Sequence, residues 1–139
     1  MDPAVKDAIS RAVEQEPFSK ALSMKLVALE EGFSAVEMVY QPDLMNNIYA
    51  RAHGGAIFAL IDEAFETVAQ SDGTVAVALT VNVVYVSSPE AGVLLRAEAR
   101  EVSRTKKTAT YDIRVSDQGG RLIATCQALA YRTGKPLPF

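Results

Sequence analysis

The sequence predicts an α+β fold in which a curved antiparallel sheet wraps one long buried helix. Three observations carry this. Between residues 56 and 70 apolar side chains fall nearly all the way round a helix (Ile57, Phe58, Leu60, Ile61, Ala64, Phe65, Val68), and a helix greasy on every side is usually surrounded. Four strand-like stretches follow from Val75 with little between them, and short links join antiparallel neighbours. A further alternating pair precedes the helix. With 139 residues, 49% of them apolar, and no internal repeat or linker, residues 1–139 read as one domain with a proper core.

Each element has its own signal. Asp2 then Pro3 is a helix start: a capping side chain, followed by a proline where its missing N–H costs nothing. Val5, Ala8, Ile9, Ala12 and Val13 recur at helical spacing until Pro17 ends the pattern. From Met24 the period changes, and Lys25–Leu29 and Phe33–Tyr40 read as a hairpin about Glu30-Glu31-Gly32. Residues Gln41 to Ala52 have no period and contain Pro42, Asn46 and Asn47, so they are expected to form a loop. The central helix is expected from Ala56 to Gln70, stopped by Ser71-Asp72-Gly73.

The first strand after it has an apolar face at Val75, Val77, Leu79, Val81, Val83 and Tyr85. Its other face (Ala76, Ala78, Thr80, Asn82) is small and uncharged, which marks contact with a ligand or a second subunit. Past Ser87-Ser88-Pro89 come Val93–Val102, Lys107–Ser116 and Leu122–Tyr131.

Composition excludes several classes. A formal charge of −3 argues against general nucleic-acid binding. No apolar run approaches the ~18 residues of a membrane span, and Met-Asp-Pro is no secretory leader. Cys126 is the lone cysteine, in strand-like surroundings, so no internal disulfide forms and a reducing cytoplasm is expected. One histidine without a cysteine nearby makes a metal site improbable, and no cofactor is called for.

The chemistry concentrates at His53-Gly54-Gly55, which opens the apolar helix, and at Asp62, nine residues after the histidine. Glycines allow a tight turn and close approach of backbone to ligand. The free N–H groups and positive dipole end of the helix suit an oxygen that gains negative charge. An acid two turns into so apolar a helix is costly to bury. Together they suit hydrolysis without metal or serine. The plainer readings are a solvated acidic stripe, with Glu63 close by and Glu66 sharing a helix face with Asp62, and a structural His53 hydrogen-bonded to backbone.

These residues resemble the hotdog-fold acyl-CoA thioesterases, the phenylacetate-degradation type in particular, over nearly the whole chain. The match runs through the Glu-Glu-Gly hairpin, Asn47, His53-Gly54-Gly55, Leu60-Ile61-Asp62 and the Asn82…Tyr85…Pro89 strand end. The resemblance implies an extra N-terminal helix on a hotdog body and an acyl-CoA substrate. It implies Asp62 as general base or nucleophile, the Gly54 N–H beside Gly55 as oxyanion donor, and Asn47 positioning water or thioester. Some members add a hydroxyl from the partner's long strand. Here that position is Ala78, with Thr80 the nearest hydroxyl on the face. The family works as homodimers, often paired into homotetramers, with each site built from two subunits.

Arg100, Arg104, Lys106 and Lys107 crowd the Ser103–Lys107 turn. Either this is a solvated hairpin tip, or Arg104, Lys106 and Lys107 bind coenzyme A phosphates, whose oxygens suit both lysine and arginine. Two rivals stand beside the hydrolase. One is a non-hydrolytic acyl-CoA sensor or interaction module on the same fold. The other is a hotdog dehydratase, whose His-Phe-Pro-type motif is missing.

Overall fold

The computed structural model describes residues 1–139. Six strands form one antiparallel sheet in the order β1-β2-β4-β5-β6-β3, curved but not closed: β1 Lys25–Glu30, β2 Phe33–Val39, β3 Thr74–Tyr85, β4 Leu94–Arg104, β5 Thr108–Asp117 and β6 Leu122–Pro136. The long helix α4, Gly54–Ala69, lies in its concave face. This is the hotdog arrangement the sequence implied. Small inner-face residues make room for the helix: Ala97, Ala99, Ala109, Ala124 and Ala130 are at most 1% exposed. Phe65 of α4 meets Tyr111 edge to face at 5.3 Å, a favoured aromatic geometry. No helix is long and apolar enough to cross a membrane.

The N-terminal helix α1 (Pro3–Gln15) begins as expected, with the Asp2 side chain accepting the Ala4 N–H at 2.8 Å. It packs Ile9 and Val13 on Leu29 of β1. Pro17 ends α1 but also opens a second short helix, α2 (Pro17–Ala21), because a proline at the first helical position needs no N–H partner. The same device corrects the expected loop from Gln41 to Ala52: Pro42 starts a one-turn helix, α3 (Pro42–Met45).

Two further expectations are corrected. The central helix begins at Gly54, not Ala56, and it is not enclosed on every side: Phe58, Asp62 and Glu66 form an exposed stripe one turn apart. And β3 does not alternate evenly. A bulge between Ala78 and Thr80 leaves Leu79 unpaired, with Ala78 opposite Ala130 and Thr80 opposite Leu129. One extra residue exchanges the faces of a strand. Ala76 packs inward before the bulge, whereas Val81 and Val83 pack inward after it. Thr80 and Asn82 therefore share the outer, convex face with Asp112 and Gln127.

Where α4 hands over to β3, Asp72 is tied down on every side. Its carboxylate accepts the N–H and hydroxyl of Thr74 at 3.0 and 2.7 Å and pairs with Arg132 and with Arg104 at 3.3 Å. Burial raises its pKa, but the hydrogen bonds from Thr74 and Arg132 and the Arg104 charge outweigh burial and hold it below the usual value. Asp72→Asn is expected to cost about 2–3 kcal/mol in urea unfolding at pH 7, as for loss of hydrogen bonds to a charged group. A depressed folded-state pKa stabilises above the unfolded carboxyl value and stops doing so as pH falls through the folded one. The deficit of the variant should therefore shrink below about pH 4.

Candidate active site

The site is built at the start of α4. His53 enters it with extended backbone, φ −66 and ψ 133, and caps it: its ring Nδ1 accepts the Gly55 N–H at 2.8 Å. The first N–H groups of a helix lack intrahelical partners, and here they can be followed one by one. That of His53 goes to the Met45 carbonyl, that of Gly55 to the His53 ring and that of Ala56 to the His53 carbonyl. Only the Gly54 N–H is left without an acceptor. The structural reading of His53 is the one this geometry displays.

Neither Gly54 nor Gly55 adopts positive φ, so the expected reason for the glycines, a tight turn, is replaced by another. A Cβ on Gly54 would lie 3.1 Å from Cζ of Tyr85, and one on Gly55 would lie 2.9 Å from Nδ1 of His53. Glycine is there for space. Tyr85 also donates its hydroxyl to the Gly54 carbonyl at 3.1 Å. The end of β3 thus holds the segment that presents the free N–H. Nothing in the sequence pattern pairs residues 31 positions apart, so this contact was not foreseen beyond the family match at Tyr85.

Asp62 projects from the exposed stripe into a cleft of about 220 Å³ lined with Phe65, Glu66, Ala69, Ala76 and Ala78, among others. Its carboxylate has no ion pair or hydrogen-bond partner, and the partial burial that the cleft imposes pushes its pKa above the usual aspartate value. Glu66 shares the cleft; its pKa is raised by burial, then by Glu16 and Asp62. A half-desolvated, unpaired carboxylate is a stronger proton acceptor than a solvated one.

The remaining expectations divide. Asn47 is a loop organiser: its Oδ1 accepts the N–H groups of Tyr49 (2.9 Å) and Arg51 (3.1 Å), which leaves its side-chain amide N–H free. Thr80 does not share the face of Ala78; the bulge at Leu79 turns it to the convex side, away from the Asp62 cleft. Arg104 is not a free cation, since it pairs with Glu31, Asp72 and Glu101. Arg100 is committed to Glu98 and to the Phe33 ring. That leaves Lys106 and Lys107, both exposed, with Lys107 over the Tyr131 ring.

Gly54 and Asp62 are eight residues apart on one helix, hence about 12 Å apart along its axis. No single thioester carbonyl can touch both within one chain.

Comparison with known proteins supplies the lineage. Residues 49–124 match the thioesterase superfamily. Acyl-coenzyme A thioesterase PaaI of Escherichia coli is 31% identical over 121 residues, 87% of this chain and 86% of that protein. The solved structure of the E. coli PaaI protein, from the phenylacetic acid degradation operon, has a TM-score of 0.90 at 29% identity and covers 95% of each chain. The protein smu.793 of Streptococcus mutans, solved bound to acetyl CoA, has a TM-score of 0.77 at 31% identity over 82% of this chain and 91% of that one. With the capped helix start and the wrapped helix already in view, these matches make the chain a hotdog-fold thioester hydrolase that belongs to the thioesterase superfamily, of the phenylacetate-degradation type.

Proposed function

We propose that this protein is an acyl-CoA thioesterase whose sites are each shared by two copies of the chain. The observation that carries the reading is the placement of the two half-sites at opposite ends of β3. Gly54 is tied to Tyr85, the last residue of the strand, while the Asp62 cleft reaches Ala76 and Ala78 near its start. β3 is an edge strand that exposes Val77, Leu79, Val84 and Tyr85, with Val86 just past its end. An apolar edge of this length invites pairing. Antiparallel pairing with a second β3 about a two-fold axis sets the start of one strand beside the end of the other. Asp62 then faces Gly54 of the partner subunit.

In such a site the thioester oxygen accepts the free Gly54 N–H. Asp62 takes a proton from water as the water oxygen bonds to the carbonyl carbon, or it attacks that carbon itself to give an acyl anhydride that water then cleaves, restoring Asp62 and freeing the acid. On either route the C–S bond breaks, the coenzyme A thiolate leaves and takes up a proton, and the free acid is released. Thiolate is a good leaving group, so no general acid is needed. Asn47 supports the loop before His53, and its free amide N–H is available to the substrate or water. The whole of residues 1–139 serves as one domain of a dimer or dimer of dimers. The lone buried Cys126 supports a reducing, cytoplasmic setting.

Two measurements test this. Free-thiol release across an acyl-CoA panel should detect hydrolysis of at least one ester; binding without release in the whole panel would favour the sensor reading. Light scattering at micromolar concentration should give at least twice the chain mass. An active monomer would refute the shared site.

The nucleotide end of the ligand is assigned to Lys106 and Lys107, the two cations of the β4–β5 turn without carboxylate partners. Replacing both by serine is expected to raise KM several-fold and leave kcat nearly intact, since phosphate contacts bind ground and transition states alike. The effect should weaken with salt and vanish for a pantetheine thioester lacking the nucleotide. Equal losses on both substrates would point to damaged folding, and no loss on either would make the turn a solvated tip.

A further inference from the structure

Away from the Gly54 end, three glutamates meet where the N-terminal helices touch α4. Glu16 sits between α1 and α2, ending one and preceding the other. Its carboxylate and those of Glu63 and Glu66 place one oxygen each within 4.8 Å of one another. Glu63 enters this group from the core side. It is only 3% exposed, and its Oε1 is buried without any hydrogen-bond partner. No lysine, arginine or histidine is paired with any of the three, although the chain's other ion pairs are well formed. Burial, then the charges of Glu16 and Glu66 and a hydrogen bond with Glu16, raise the Glu63 pKa to about 8, so without a cation the group must hold a proton to escape the cost of unpaired buried charge.

We infer that Glu16, Glu63 and Glu66 form a binding site for a divalent cation of about calcium size, clipping α1 and α2 to the catalytic helix. The donor set is all carboxylate oxygen, which suits hard cations and not zinc or copper. Three oxygens at most 4.8 Å apart lie within about 2.8 Å of their common centre; closing by a few tenths of an ångström reaches the 2.3–2.6 Å of calcium, whereas magnesium demands 2.0–2.1 Å and stricter geometry. Glu16 and Glu66 also line a cleft of about 320 Å³ with Thr67, Gln70 and Phe139, an entry path with room for the waters that complete a calcium shell.

The test uses the full chain, stripped with chelator, and follows thermal unfolding as CaCl₂ or MgCl₂ is added at fixed ionic strength. Calcium should raise Tm by about 5 °C or more once it exceeds its dissociation constant a hundredfold, with a smaller response to magnesium. Glu16→Gln and Glu63→Gln should each abolish the response while remaining folded, and Glu14→Gln, an exposed acid of α1 outside the group, should keep it. Calorimetric titration of calcium should give one site per chain. The inference is overturned if wild type shows no calcium-dependent shift, or if Glu63→Gln shows the wild-type shift. It also fails if metal-free Glu63→Gln gains stability while wild type ignores calcium, the pattern of three acids that share a proton.

Discussion

Asp62→Asn is expected to lower kcat for acyl-CoA hydrolysis by roughly 10²–10⁴, the range for loss of a general base, with little change in KM. Asparagine keeps the shape of the side chain and cannot take a proton. The substitution removes an unpaired charge from a cleft that already disfavours it, so Tm should hold or rise. A fall in rate with intact stability therefore isolates chemistry from folding. Glu66→Gln is the comparison: Glu66 shares the helix stripe and the cleft. Near wild-type rates for Asp62→Asn together with loss in Glu66→Gln would move the catalytic role one turn along the helix.

The second large effect is expected at Gly54, where a substitution can delete one N–H and little else. Proline fits the first helical position, and His53 before it already has the extended backbone that a following proline requires. Gly54→Pro is expected to lower kcat by roughly 10²–10³, the usual loss for one oxyanion donor. Gly54→Ala is the control, because its Cβ makes the same close approach to Tyr85, 3.1 Å to Cζ, yet it keeps the N–H. If alanine costs as much as proline, crowding of Tyr85 and not the lost donor explains the result. Mixed dimers of Asp62→Asn with Gly54→Pro go further: one of their two sites would combine Asp62 from one chain with Gly54 from the other, both intact. Recovery of activity on mixing is expected. Its absence, with subunit exchange verified, would argue against sites shared in this way.

Much of the fold was legible because it rests on local periodicity. The apolar helix, the hairpin at Glu30–Gly32 and the three closing strands each announce themselves within a dozen residues. The His53-Gly54-Gly55 and Asp62 signals were legible because polar chemistry in an apolar run stands out. What failed was phase and partnership. The Leu79 bulge adds one residue to β3 relative to β6, and a window of alternating valines carries no mark of which residue is extra; Thr80 was assigned to the wrong face for that reason. Arg104 read as a free cation because two of its three partners, Glu31 and Asp72, are 73 and 32 positions away, and the nearby third, Glu101, was passed over. Glu63 was simply a neighbour of Asp62 until α1 and α2 were folded against it. And Pro17, read as a stop, and Pro42, read as a loop residue, each start a short helix.

The position of β3 also bears on how this chain is made. Its only neighbour within the chain is β6, the last strand in sequence, with Tyr85 opposite Ala124 and Thr74 opposite Pro136. During synthesis β3 therefore emerges with both backbone edges open, and about forty residues must follow Tyr85 before its partner Ala124 is made. Such long-range pairing is slow, because loop closure precedes its reward. Meanwhile an apolar strand free on two sides is a template for any other nascent chain. The Leu79 bulge exists only against β6, so the exchange of faces that turns Thr80 outward and Val81 inward is completed only when the last strand is in place.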